Sequence, residues 1–531
     1  MNRISILDCT LRDGGYINEF KFGNRIIKRI IEKLTKASID IIECGFMRKD
    51  EHDKDKTLFG SVEELAEVIG EKNNNLMYVA MIQYGAINSE DISAYDGSSV
   101  DGIRVTFHES EISGAIELCR KLMKKGYKVF MQPVGTATYS DTALLKLIEQ
   151  MNELHPFAFY IVDTLGTMYK NDLLRLFYLV DHNLDKNIVI GFHSHNNLQL
   201  AFANAQELMQ LNSSRNLIID SSVFGMGRGA GNLNTELVTQ YINTNFGLHY
   251  DNGQILEIID EYIRPLSYSY KWGYDAAYYI ASIHKCHPNY ASFLLNRQTL
   301  HAKDMNAILG KMQEGKRGLF DKEYIEEIYL SYMNKYVEDQ NVVEKFGEIL
   351  KNKNVLVLAP GKTIAINSRM IQKKIDAEQL YVFSVNFIPG DIHVDTLFIS
   401  NMKRFRSIED ISTGIPIGMK IVVTSNIANQ SDNNATVINY SSYLNEDYCI
   451  SDNAGMMCLN FLNRVGVKKV YLAGFDGFKT RSLENYYDNS LYVQVEDEQL
   501  VQMNRAISEK LSQMSRQIEI IFLTESIYKL Q

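Results

Sequence analysis

Over roughly its first 245 residues the chain alternates short β-branched runs with amphipathic helical stretches, and this alternation is the pattern of parallel β/α units rather than of hairpins. Eight runs stand out: ISILD (4–8), IDIIECG (39–45), LMYVAMI (76–82), VDGIRVTF (100–107), YKVFMQPV (127–134), FAFYIVDT (157–164), NIVIGFHSH (187–195) and LIIDSSVF (217–224). Eight units in this length fit a (β/α)8 TIM barrel. Nearly every run closes on a polar or charged residue, namely Asp8, Glu43, Gln83, Arg104, Gln132, Asp163, His193 and Asp220. In a barrel those ends converge on one mouth, where active sites sit.

At 531 residues the chain exceeds one ordinary domain. The barrel is assigned to residues 1–250, and a helical extension rich in Tyr and Met, with the single tryptophan Trp272, to 251–350. A second alternating series occupies 351–531, from KNKNVLVLAPGK through YVFSVNF, DTLFIS, KIVVTS, VKKVYLAGFDGF and IEIIFLT. Its spacing predicts an open, doubly wound, Rossmann-like α/β domain. A Lys- and Asn-rich junction near 345–354 marks the boundary, and neither a repeat period nor a low-complexity stretch interrupts the chain.

The formal charge of −10 opposes a nucleic-acid partner, whose affinity would need clustered Lys and Arg; the short basic run Lys403, Arg404 and Arg406 reads as solvated surface. Six cysteines at 9, 44, 119, 286, 449 and 458 include no C-x-x-C pair, which points to a reduced, cytoplasmic protein. Arg3, Asp8, Arg12 and Asp13 stand where a signal peptide would need an apolar core, and no run approaches the ~18 apolar residues of a membrane span.

Three segments carry the chemistry. His193 and His195 are two residues apart at the end of the seventh run, so on a strand they project to one face and can share one ion. Asn196 and Asn197 follow as candidate caps of the next helix. The DCTLRDGGY opening places Arg12 and Asp13 in the loop after the first strand, with a Gly-Gly pair for a tight turn. After the eighth strand, GMGRGAGN (225–232) permits close backbone approach to a ligand, and Asn232 offers an oxygen; phosphate binding is the other use barrels make of that loop.

These segments resemble the metal-dependent TIM-barrel superfamily of pyruvate-type aldolases, hydroxymethylglutaryl-CoA lyase and isopropylmalate or homocitrate synthases, known for a D-x-x-x-R-D-G opening. GMGRGAGN and AAYYIASIHKCHPNYASFLL are most similar to the 4-hydroxy-2-oxovalerate aldolase subgroup. The resemblance covers residues 1 to about 300. It implies that Asp13, His193 and His195 ligate a divalent metal, with Asn232 a further candidate, and that Arg12 steadies an enolate. It also implies Mn or Mg as the favoured ion, with Co or Zn compatible. Glu43, Asp163 and Thr164 match polar positions lining the family's mouth. Where the subgroup has a histidine three residues after the metal-binding aspartate, thought to be the general base, this chain has Tyr16. A phenol ordinarily titrates near ~10, so an acid role suits it better. The base candidates are a metal-bound water, Tyr16 as phenolate, and His108 beyond the fourth strand.

The expected reaction is reversible cleavage or formation of a 4-hydroxy-2-oxo acid through a pyruvate enolate, with a 2-oxo acid and an aldehyde as small-molecule partners. The alternatives are a Claisen-type acyl-CoA condensation, as in the synthase branch, and a non-catalytic barrel whose C-terminal domain does the work. In that domain LVLAPGK (356–362) sets a Pro-Gly turn where a helix N-terminus could receive a phosphate, although it is neither a G-x-G-x-x-G fingerprint nor a complete P-loop and equally reads as an ordinary turn. The segment 451–478 resembles bacterial sialyltransferase-type surface-glycan domains. That resemblance implies a nucleotide or nucleotide-sugar near Gly361, Asn386 and Asp476; the other reading of Asp476 is a turn cap. The aldolase subgroup's usual partner, an acylating aldehyde dehydrogenase, is not assumed, and self-association is left open.

Overall fold

The computed structural model describes residues 4–49, 53–211, 213–297, 300–401, 404–405, 408, 418–427, 435–479, 485–487 and 497–528. Contacts gather the chain into two compact units, Met1–Ser292 with Met312–Phe320, and Phe293–Lys311 with Asp321–Gln531.

The first unit is a barrel of parallel strands: β1 (Ile4–Asp8), β2 (Ile41–Met47), the short β3 (Leu58–Phe59), β4 (Met77–Gln83), β5 (Gly102–Phe107), β6 (Lys128–Pro133), β7 (Ala158–Asp163), β8 (Val189–Ser194) and β9 (Leu217–Ser221). Eight of them form the ring, closed where β1 pairs with both β9 (Ile6 beside Ile219) and β2 (Leu7 beside Ile41). The ninth, β3, adds to the rim of β2, with Phe46 beside Leu58. Two residues are too few to show an alternation, so the sequence gives no sign of it.

Every residue of β7, AFYIVD, is buried, because the barrel interior covers one face and helices cover the other. The helix Asn24–Lys36 shows the matching pattern, burying Ile27, Ile30, Ile31 and Leu34 on one side. Serine hydroxyls start two others: Ser61 accepts from the Glu64 N–H and Ser140 from the Ala143 N–H.

Inside the ring, Leu7, Ile41, Val79, Phe130, Tyr160 and Ile218 form an apolar cluster. Two residues further along the same strand faces stand the polar groups: Glu43 after Ile41, Arg104 after Gly102, His193 after Gly191 and Asp220 after Ile218. The period of two therefore stacks a polar layer directly on an apolar one. Gly191 is needed for this, since a Cβ there would lie 2.3 Å from the Tyr160 ring.

The second unit holds a seven-stranded, wholly parallel sheet of β10 (Val355–Leu358), β11 (Tyr381–Val385), β12 (Thr396–Ile399), β13 (Lys420–Thr424), β14 (Ala435–Ile438), β15 (Lys469–Ala473) and β16 (Glu519–Phe522). Its order is β14-β13-β12-β11-β10-β15-β16, so the winding reverses between β10 and β15. Helices Thr363–Glu378, Ala454–Val465 and Asp497–Met514 connect strands. Of the basic run, Arg404 is half-buried, while Lys403 and Arg406 lie outside the described residues. All six cysteines are free, and no helix among the described residues is long and apolar enough to cross a membrane.

Candidate metal centre

After β1 the chain turns at once, the Arg12 and Asp13 N–H groups donating to the Cys9 carbonyl at 3.1 and 2.8 Å, and a single 3-10 turn, Gly14–Tyr16, follows. This fold-back buries Asp13 inside the mouth. His193 comes from the end of β8, and His195 lies one residue past it in a bridge to Asn232. One ligand atom from each of Asp13, His193 and His195 lies within 4.8 Å of the other two, a separation suited to one shared cation.

The glycine loop completes the pocket. The Asn196 N–H donates to the Gly231 carbonyl at 2.8 Å, the Asn232 N–H donates to that of Gly225 at 3.0 Å, and the Asn232 amide donates to Asp13 Oδ2 at 2.5 Å. A Cβ on Gly227 would lie 2.4 Å from that amide nitrogen and 3.0 Å from Asp13 Oδ2, so only a bare backbone allows the contact. Gly227→Ala is expected to keep the barrel folded and to weaken divalent-cation binding by about 10- to 100-fold, as loss of a ligand's supporting contact does; titration with Mn(II) and a thermal melt measure the two effects.

A continuous chain of buried ion pairs joins two of the three ligand side chains. From Asp13 it runs to Arg12 Nη1 (2.7 Å), from Arg12 Nε to Glu43 Oε2 (2.8 Å), from that oxygen to Arg104 Nη1 (2.7 Å), from Arg104 Nη2 to Asp220, and from Asp220 Oδ2 to His193 Nδ1 (2.9 Å). The last contact fixes the His193 ring and leaves its Nε2 for a ligand. Arg104 and Asp220 enter the sequence reading only as polar strand ends. A full charge inside an apolar strand was the available signal, but the two partners are 116 residues apart.

The charges follow from these contacts. Burial alone would raise the Asp13 carboxyl, yet Arg12, His195, His193 and Arg228 outweigh it and hold it below the usual carboxylate range. Asp220 is held low in the same way, by Arg104 and His193 against burial. Burial pushes His195 down to about 3, against the pull of Asp13, so its imidazole is neutral and able to ligate. Three carboxylates and two guanidiniums leave this network one negative charge, which a divalent cation would turn into one positive. His195 Nδ1 and Asn232 Oδ1 are both buried without a hydrogen-bond partner. Unspent donor atoms beside a carboxylate and two imidazoles fit a divalent metal.

The other residues singled out in the sequence are placed as follows. Tyr16 packs on Phe20 and Phe46, with the Arg228 guanidinium 3.8 Å from its ring centre. His108 is half-buried past β5, beside His287 rather than among the ligand atoms. The Asp163 carboxylate accepts the Thr167 and Met168 N–H groups at 2.9 and 3.0 Å, and burial raises it to about 6. The Thr164 hydroxyl accepts from the Gly135 N–H at 2.9 Å, so both side chains pin strand-end loops. The helix expected to start at Asn196 and Asn197 begins at Ala201, whose N–H the Asn196 side chain accepts at 3.2 Å. Asn197 instead donates to the Leu165 carbonyl and accepts from the Ala230 N–H, tying the glycine loop to the loop after β7.

In the second unit Gly361 and Asp476 meet where the sheet order reverses. There the Asp476 carboxylate accepts from both the N–H and the hydroxyl of Thr363. The helix end expected to receive a phosphate is thus capped by the chain's own carboxylate, which repels an anion. Asn386 spends its side-chain oxygen on the Ser400 N–H.

Residues 3–260 match the family model described as HMGL-like. The expected sialyltransferase-type relationship of 451–478 lies outside that match and gains no support from it. The chain is 26% identical over 239 residues to the oxaloacetate decarboxylase of Mycobacterium tuberculosis, covering 44% of this chain and 67% of that protein. It is 25% identical over 269 residues to the 4-hydroxy-2-oxovalerate aldolase of Geobacillus genomosp. 3, covering 50% and 77% respectively. Among solved structures, the N-terminal domain of a candidate aldolase from Bacteroides vulgatus superposes with a TM-score of 0.47 at 25% identity, over 55% of this chain and 96% of that one. With its polar mouth, its carboxylate and paired imidazoles, the segment 3–260, just under half of the chain, is similar to the HMGL-like family.

Proposed function

We propose that the barrel is a divalent-metal-dependent aldolase that reversibly cleaves a 4-hydroxy-2-oxo acid to pyruvate and an aldehyde. The observation that carries this reading is the convergence of Asp13, His193 and His195 ligand atoms within 4.8 Å of one another, with the Arg12 guanidinium 2.7 Å from Asp13. A divalent cation held by those three side chains, with the Asn232 oxygen as a further donor, would supply Lewis acidity to the 2-oxo group; Mn or Mg is favoured, and Co or Zn is compatible.

The chain's own residues do the rest. Arg12 commits Nε to Glu43 and Nη1 to Asp13, which fixes the guanidinium and leaves its Nη2 donors for the oxygen that gains charge as the C3–C4 bond breaks. In the cleavage direction the C4 hydroxyl loses its proton, the C3–C4 electron pair becomes the enolate, and protonation at C3 gives pyruvate while C4 leaves as the aldehyde. Tyr16, three residues beyond Asp13, is assigned the proton delivered to C3, and the phenolate this leaves takes the C4 hydroxyl proton of the next turnover. The network's net charge once a divalent cation is added is one positive, which suits the single carboxylate of a 2-oxo acid.

A second reading has one observation in its favour. Tyr16 is a phenol, a better proton donor than acceptor, and decarboxylation of a 2-oxo diacid needs only protonation of the enolate. One relative is named oxaloacetate decarboxylase. Protein reconstituted with Mn(II) or Mg(II) and given a panel of 4-hydroxy-2-oxo acids is expected to release pyruvate and aldehyde in equal amounts, and to stop on chelation. Release of CO2 from oxaloacetate without aldehyde formation from any panel member would favour the decarboxylase. Consumption of acetyl-CoA with 2-oxo acids would favour a synthase, and full activity under chelation would remove the metal.

A further inference from the structure

Arg228 stands in the glycine loop with its guanidinium 3.8 Å from the Tyr16 ring centre, and it forms no ion pair or side-chain hydrogen bond among the described residues. Asp13 is near enough to feel its charge, but Arg12 and Asn232 already occupy the two Asp13 oxygens. Arg228 is therefore a half-buried cation at the barrel mouth without a counter-ion of its own. Such a charge costs desolvation unless something anionic arrives to meet it.

A second donor lies beside it. Gly229, the next residue, packs under Pro288, whose Cβ would be 3.4 Å from a Cβ built at Gly229, and this contact sets His287 against the loop. The His287 Nδ1 accepts the Asn289 N–H at 3.2 Å, so the neutral ring carries its proton on Nε2, where it is a donor. Burial, reinforced by Arg228 and then His108, pushes His287 down to about 3 and keeps that ring neutral.

Resting on the aldolase reading above, we infer that Arg228, with the His287 ring beside it, binds a second anionic group of the substrate, so that the aldehyde half carries a carboxylate or phosphate. Tyr16 places this cation on the acid–base side of the centre, away from the Arg12 guanidinium assigned to the enolate oxygen. A guanidinium held over a phenol ring by its charge spends no N–H bond on that contact and keeps donors for such an anion. Arg228 is thereby a specificity-determining residue, separate from the ligand set.

Two measurements test this. In metal-reconstituted aldol addition to pyruvate, succinic semialdehyde is compared with butanal, and glyceraldehyde 3-phosphate with glyceraldehyde. At least one anionic member is expected to exceed its neutral mate in kcat/KM by about 10- to 100-fold, the worth of a hydrogen bond to a charged group, and which pair shows it distinguishes carboxylate from phosphate. Arg228→Gln is expected to cut that ratio at least tenfold, mainly through KM, with Arg228→Lys recovering part. Independently of turnover, calorimetry of the metal-loaded protein is expected to show 2-oxoglutarate or a phosphorylated 2-oxo acid binding at least tenfold tighter than 2-oxopentanoate, a difference lost in Arg228→Gln. Equal handling of anionic and neutral ligands in both measurements, or a preference undiminished in Arg228→Gln, would overturn the inference. Binding discrimination without any pyruvate incorporation would instead sink the aldolase reading and leave the anion site standing.

Discussion

Asp13→Ala and His195→Ala are each expected to reduce pyruvate formation by at least ~1000-fold, because loss of a metal ligand forfeits several kcal/mol of charge stabilisation where the enolate forms. Asp13 should be the more sensitive position. It supplies one ligand atom, receives Arg12 and receives the Asn232 amide, so its removal disturbs three neighbours at once. Asp13→Asn keeps the volume and separates loss of charge from loss of packing. The measurement is a pyruvate-coupled assay beside a Mn(II) titration. Variants that fail to bind the ion and also fail to turn over support a shared centre, whereas Asp13→Ala with near-normal activity would dismantle it.

The second large effect concerns stability. Arg104 is fully buried and bridges Glu43 to Asp220, so Arg104→Met would leave the Asp220 carboxylate in the interior without its guanidinium and Glu43 with Arg12 alone. Breaking a buried pair from one side typically costs about 3 to 5 kcal/mol, and the loss expected here is of that size, set by Asp220, which then has His193 as its partner. Urea unfolding of the full chain should show the loss in the barrel transition. Arg104→Lys, which keeps the charge but cannot fork to both carboxylates, is expected to fall between. An Arg104→Met protein within ~1 kcal/mol of the parent would show that the network carries little of the fold.

The barrel was legible because a parallel strand covered on both faces is written as an unbroken apolar run, as in β7, and because its polar last residues fall at one end. The two imidazoles could be placed together from their spacing of two. What spacing cannot show is pairing over distance. Glu43 reads as one polar residue in IIECGFM, and only the folded ring reveals that one of its oxygens receives both Arg12 and Arg104. Asn197 was misread for the same reason: a local rule makes Asn next to a helix a cap, but two backbone groups from distant loops compete for its side chain and win. In the second sheet six of the seven strands were legible; the short edge strand β14, ATVI, was missed, and the strand order was not legible, because helical connections of similar length permit either direction of winding. Asp476 shows the consequence, since its partner Thr363 lies across the reversal between β10 and β15.

The ion-pair chain from Asp13 to His193 draws its members from the first loop, β2, β5, β9 and β8 in turn. During synthesis Arg12 and Glu43 emerge early, yet Asp220 and His193 arrive only with the last quarter of the ring, so an incomplete barrel holds Arg104 with one of its two counter-charges missing. Ring closure and completion of the centre are in this way one event, and a fragment ending before β8 is expected neither to hold the ion nor to match the stability of the whole.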